Sequence, residues 1–279
     1  DVTEAAGIAV PRALCVGAAF GDYDDDGDLD LYVTTYRGGN HLFKNRGDAT
    51  FEDVTAAAGV GYKGHSSAAT WFDYDLDGDL DLYVCNIGVF TTETISREAD
   101  YFYTGVSLPF GEVVKTPDRL QPGEPNILYR NDGGGRFTDV TAEAGVGAAE
   151  WNGDAAFADI DLDGDLDLFT SNMFGANRLY RNDGQGKFSE ITGDALGRTS
   201  WGGMGARFFD ANGDEYPDLY VVDMHSDMWI DSRDKDGFHP SSKFNTPTGT
   251  RFASGHVISA PEETQARSVL FGNTFFENR

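Results

Sequence analysis

The chain has 279 residues, 40% of them hydrophobic and 13% aromatic, so it can bury a core of one large domain or two ordinary ones. Its 47 acidic and 21 basic residues leave a formal charge of −26, which excludes a nucleic-acid partner and disfavours an anionic membrane surface. No apolar run approaches the roughly 18 to 20 residues of a membrane-spanning helix, and Asp1-Val2-Thr3 does not open like a signal peptide. The sequence thus predicts a soluble chain, any targeting segment of which has been removed or was never part of it. Two cysteines are too few for a disulfide framework, whereas 35 glycines against nine prolines point to a turn-rich all-β protein.

In chain order the same four elements recur. A small-residue run ending at Phe20 predicts a first strand, followed by the acidic loop Asp22-Tyr-Asp-Asp-Asp-Gly-Asp-Leu-Asp30 and an alternating second strand through Leu31 and Val33. Asn40-His-Leu-Phe-Lys-Asn45 predicts a third strand, and Phe51-Glu-Asp-Val-Thr55 a fourth. The loop returns as Asp73-Tyr-Asp-Leu-Asp-Gly-Asp-Leu-Asp81 and Asp159-Ile-Asp-Leu-Asp-Gly-Asp-Leu-Asp167, then altered as Asp210-Ala-Asn-Gly-Asp-Glu-Tyr-Pro-Asp218. Successive loops start 51, 86 and 51 residues apart. An insertion of 35 residues before Asn126 accounts for the long interval, and one of 45 precedes Asn273. Four antiparallel strands at a period near 50 predict an all-β fold, a β-propeller built of four-stranded blades. The units are 1–52, 53–138 with an insertion at about 87–125, 139–189, and 190–279 with an insertion at about 224–272.

Carboxylates at alternate loop positions converge and repel unless a cation lies among them, and so many hard oxygen donors select Ca²⁺ over transition metals. The expected side-chain ligands are Asp22, Asp24, Asp26 and Asp30; Asp73, Asp75, Asp77 and Asp81; and Asp159, Asp161, Asp163 and Asp167. Backbone oxygens of Asp28, Asp79 and Asp165 would join them, with glycine at position six supplying the left-handed turn. The fourth loop offers Asp210, Asn212, Asp214 and Asp218 with the Tyr216 carbonyl. It loses a charge at Asn212 and has Glu215 in place of glycine, so it is expected to be the weakest site. An EF-hand is excluded because position twelve is Val33, Val84 or Thr170 rather than a bidentate glutamate.

The loop, followed by Leu-Tyr-Val and then by Leu-Tyr-Arg-Asn-Asp-Gly-x-Gly-x-Phe-x-Asp-Val-Thr-x-x-Ala-Gly-Val, resembles the FG-GAP/VCBS repeat, most closely its cartilage-acidic-protein and UnbV-like branch. The resemblance implies an integrin-α-type propeller, usually of seven blades, with Ca²⁺ in the hairpin between strands one and two. It also implies a secreted, periplasmic or cell-surface location. Four units then read either as a piece of a longer ring, which is favoured, or as a small ring closed on itself. The resemblance implies no particular ligand.

Because strands alternate in direction, both insertions fall on the face opposite the acidic loops, where long loops on a rigid scaffold carry recognition. Arg12, His65, Trp151, Asn152 and Trp201 precede the first strands, and His225 and Trp229 open the second insertion. Aromatic and polar groups there suit a glycan or a protein loop. The expected function is calcium-stabilised recognition of a protein or glycan. The alternative is a carbohydrate-active enzyme, a lyase or dehydratase with a cleft between the insertions, although no nucleophile elbow or His-Glu-x-x-His motif occurs. Cys15 and Cys85 face the same way on adjacent units, which leaves a disulfide or two free thiols open.

Overall fold

A computed structural model of the chain describes residues 1–11, 13–88, 91–95, 103–105, 123–200, 202–224, 250–251, 257–258, 269–270 and 273–278. The first unit is a meander of β1 (Leu14–Gly21), β2 (Asp30–Tyr36), β3 (His41–Asn45) and β4 (Phe51–Asp53), antiparallel in that order. The second contains β5 (Ser66–Phe72) and β6 (Asp81–Asn86). The pair β7 (Thr91–Ile95) and β8 (Tyr103–Gly105) follows within the insertion, and β9 (Ile127–Asn131) and β10 (Phe137–Asp139) complete the sheet. The third is β11 (Asn152–Ala158), β12 (Asp167–Asn172), β13 (Arg178–Asn182) and β14 (Phe188–Glu190).

In the last unit β15 (Thr199–Ser200) precedes β16 (Gly203–Phe209) and β17 (Asp218–Asp223). Short pieces β18 (Thr250–Arg251), β19 (Val257–Ile258) and β20 (Val269–Leu270) lead to β21 (Thr274–Phe276). Its sheet has three strands, β16-β17-β21, and β15 pairs with β20 in parallel.

The first strands β1, β5, β11 and β16 pack side by side in sequence order, and the core lies between neighbouring sheets. Tyr32 and Leu42 of the first unit share a cluster with Val60, Trp71, Leu82 and Tyr129 of the second. Tyr83 and Leu128 of the second pack with Leu168 and Tyr180 of the third. Ala156, Phe169 and Leu179 then meet Ala206, Leu219 and Val221. Alternation along strand two explains this, since successive side chains point to opposite faces and both faces are covered. Where no further sheet covers a face, equivalent residues surface: Phe20 is 59% exposed where Trp71 is 7%, and Tyr220 is 37% exposed where Tyr83 is fully buried.

Two features escape the sequence pattern. A single helical turn follows strand four at Thr55–Ala58, Thr141–Ala144 and Thr192–Ala195, and the same turn, Thr3–Ala6, opens the chain. Its threonine hydroxyl accepts the N–H of the second residue of strand three, from Leu42, Leu128 or Leu179 at 2.8–2.9 Å. Each first strand also carries a register shift near its start, at Cys15/Gly17, Ser66/Ala68, Asn152/Ala155 and Gly203/Gly205. Such bulges sharpen local twist.

Asparagine side chains stitch the units together. Asn131 Nδ2 donates to the carbonyls of Tyr23 (2.8 Å) in the preceding unit and Leu80 (3.2 Å) in its own, and Asn182 does the same with Tyr74 and Leu166. Asn278 reaches Ile160 at 2.6 Å, whereas Asn45 bonds only Leu29 of its own unit. Removing Asn131 leaves buried carbonyls without a donor. Asn131→Ala is therefore expected to lower unfolding free energy by about 2–4 kcal/mol in urea titration, and Asn45→Ala by less than half of that.

Candidate metal centres

The three regular loops fold alike because their side chains satisfy their own backbone. Asp22 accepts the N–H groups of Asp26 and Gly27 through its two oxygens, and Asp26 accepts from Asp28. Asp73 with Asp77, and Asp159 with Asp163, repeat the arrangement. Positions four and six are left-handed: Asp25, Leu76 and Leu162 at φ 57–59°, and Gly27, Gly78 and Gly164 at φ 91–100°. The sequence accounts for the glycine but gives no signal for the strained residue two places earlier. In the fourth loop the roles exchange, with Gly213 at position four (φ 80°) and Glu215 at position six (φ 74°).

The ninth residue of every loop is completely buried. Asp30 accepts Tyr23 N–H at 3.3 Å and Asn45 N–H at 2.8 Å; Asp81 accepts from Tyr74 and Asn131, Asp167 from Ile160 and Asn182, and Asp218 from Ala211 and Asn278. This carboxylate ties the acidic loop to the end of strand three. Burial pushes the carboxyls of Asp30 and Asp167 up to about 6 and that of Asp81 up to about 7, although the two N–H donors pull the other way.

Loop positions one, three and nine come together. Carboxylate oxygens of Asp22, Asp24 and Asp30 lie within 4.8 Å of one another, as do those of Asp73, Asp75 and Asp81 and of Asp159, Asp161 and Asp167. Position five, occupied by Asp26, Asp77 and Asp163, is outside these triads and instead holds the loop backbone. At position three, Asp24 Oδ1 and Asp75 Oδ1 are buried with no hydrogen-bond partner. Burial, and after it the like charge of their neighbours, raises the Asp75 and Asp161 carboxyls. A cage of anionic oxygens with orphaned lone pairs fits a hard cation, so these triads could each hold a metal ion.

Turns between strands three and four lie beside the acidic loops: a Cβ built on Gly47 would sit 2.7 Å from Asp28 Oδ2, and one on Gly184 2.5 Å from Asp165 Oδ2. At the base of the first insertion Gly88 bridges Gly123 and lies under the Trp151 ring, which also meets Phe174 edge-on at 5.2 Å. His65 is buried, its ring tilted against that of Tyr36 at 5.8 Å and its Nδ1 3.5 Å from Glu124, and Asn152 is buried too. Neither presents its side chain to solvent, His65 lying between Tyr36 and Glu124, so they support the face and do not line it. Arg12, Trp201, His225 and Trp229 lie outside the described residues. Both cysteines are free, Cys15 exposed and Cys85 buried.

Repeated antiparallel sheets, three of them closed by an aspartate triad that could hold a cation, define an all-β repeat protein. The FG-GAP-like repeat profile matches residues 22–84, 119–170 and 159–221, more than half of the chain, and the protein belongs to that family. Cartilage acidic protein 1 of Mus musculus is 27% identical over 210 residues, covering 59% of this chain and 32% of that protein. The Homo sapiens and Xenopus tropicalis proteins of the same name are 28% and 24% identical over 59% and 63% of this chain. The chain thus spans about a third of the length of these relatives. Among solved structures, the V. cholerae biofilm matrix protein Bap1 aligns with TM-score 0.35 and 16% identity over 76% of this chain and 30% of that one.

The left-handed glycines yield a direct test. Nothing lies within 4 Å of a Cβ placed on Gly78, so its cost is conformational alone. Gly78→Ala should destabilise by about 1–2 kcal/mol in chemical denaturation, and Glu215→Gly should stabilise the fourth loop by a similar or smaller amount.

Proposed function

We propose that this chain is a run of four propeller blades whose acidic loops bind Ca²⁺, and that the stiffened scaffold recognises a protein or glycan through the opposite face. The observation that carries the calcium reading is the convergence of three aspartate triads, two of which retain a buried, unbonded oxygen, on Asp24 and Asp75. Side-chain ligands would come from loop positions one, three and nine, with position five and the position-seven carbonyls of Asp28, Asp79 and Asp165 completing the shell. Bound calcium supplies positive charge that lets buried carboxylates stay ionised, and each ion removes two of the net negative charges that oppose compaction. The chain's own residues do the rest. Position nine clamps strand three, position one fixes the turn, and the bridging asparagine passes the order of one loop to the next unit.

The repeated loops support the unit boundaries, and the exposed Phe20 and Tyr220 at the two ends of the run support placement within a larger ring. Among the described residues no helix is long and apolar enough to cross a membrane. The relatives' name, cartilage acidic protein, together with millimolar calcium outside cells, supports a secreted, periplasmic or surface location. Recognition falls to the insertion-bearing face because the first insertion returns at Gly123 beside Glu150 and Trp151, away from the acidic loops.

Thermal melting in millimolar calcium and in chelator tests the first half. A site at a hundredfold excess over its Kd adds about 2.7 kcal/mol, so three sites should raise the midpoint by roughly 10 °C or more. Asp75→Asn and Asp161→Asn should each remove part of that rise, and an unchanged midpoint would sink the calcium reading. For the second half, the intact chain and a variant with residues 91–122 and 226–271 replaced by short turns are compared on glycan arrays and immobilised matrix-protein panels in calcium. Binding is expected to vanish in the variant, and its retention at wild-type strength would refute recognition through the insertions.

A further inference from the structure

The strand-three residue just before the bridging asparagine is Lys44, Arg130, Arg181 and Glu277 in the four units. We infer that this residue grades the cation affinity of the loop beside it, with Lys44 making the first loop a weaker, self-competed site and Glu277 restoring the fourth. The inference rests on the calcium reading above and assigns the order among its sites.

Lys44 Nζ contacts Asp24 Oδ2 and lies 3.1 Å from Asp26 Oδ2. Asp24 belongs to the first triad and carries one of the orphaned buried oxygens, so the ammonium is already bonded to a carboxylate that a metal would need. A divalent ion entering there must displace Lys44 or share Asp24 with it, and either route costs one charge–charge contact. The second unit does not compete in this way. Arg130 is turned aside, donating through Nε and Nη2 to Asp132 Oδ1 at 2.9 and 2.8 Å, which leaves Asp75 to its triad.

In the fourth unit the same strand position brings a carboxylate to the same loop position. Asn212 replaces the position-three aspartate and donates to Glu277 Oε1 at 3.5 Å and to Asp214 Oδ2 at 2.9 Å. The negative charge lost from the loop thus returns from the strand. A loop with all its aspartates in place becomes the handicapped one, and the most divergent loop recovers its charge.

Calcium titration calorimetry on the full 279-residue chain tests the order, with Lys44→Met and Glu277→Gln as variants. Lys44→Met should tighten one site by roughly two- to fivefold, the scale of a partly exposed ion pair, and Glu277→Gln should weaken a different site by a similar factor. On the wild-type chain, which needs no variant to fold, acetylation of Lys44 followed by mass spectrometry should rise several-fold when calcium is added, while Lys63 and Lys187 stay constant. Superimposable wild-type and Lys44→Met isotherms, or Lys44 reactivity indifferent to calcium, overturn the grading and leave the calcium reading standing. No calcium uptake by the wild type overturns the calcium reading, and the grading with it.

Discussion

A fully buried carboxylate that accepts two backbone N–H groups, one from its own loop and one from strand three, holds each repeat in shape. Asp30, Asp81, Asp167 and Asp218 occupy this place. The arrangement is costly to break because removing the acceptor strands two buried donors, each worth about 1–3 kcal/mol. It also couples chemistry to architecture, since the residue that closes the hairpin is the innermost member of the triad fit for a cation. Loop order and strand order are therefore one equilibrium.

That coupling extends along the chain. The asparagine ending strand three donates to a carbonyl of the preceding loop, while three of the four clusters of buried residues belong to two neighbouring sheets. Stability of this kind is a sum over nearest neighbours, as in other repeat architectures, and a unit has no complete core of its own. The exposed aromatic faces at Phe20 and at Tyr220 and Phe275 are its physical corollary: the same residue types sink below the surface wherever another sheet adjoins them. A cation that rigidifies one loop accordingly steadies the sheet behind it and the asparagine bridge to the next.

A scaffold built this way separates two tasks. The acidic face is occupied with holding itself together, and most of its polar atoms are spent on backbone N–H groups. The opposite face has the room, because its connections between strands two and three are the ones that lengthened without disturbing the repeat. Trp151 over Gly88, with Glu150 against Gly123, shows how an insertion is anchored at its root by the segment leading into the next unit. Such rooting lets loop sequences diverge while their bases stay fixed.

Much of this was legible in one dimension. Local chemistry repeats with the chain: the aspartate spacing, the glycine at position six, the alternation along Leu31-Tyr32-Val33, and the phase of the asparagines each depend on near neighbours in sequence, and they determined the all-β repeat and the acidic loops. Other features needed the folded form because they arise between units. That position nine is the buried clamp depends on strand three arriving from fifteen or more residues away. Only packing decided that His65 and Asn152 are interior and that Lys44 reaches the first triad. Side-chain direction at a bulged strand, and the meeting of distant charges, are set by the sheets that press on them and not by the residues alone.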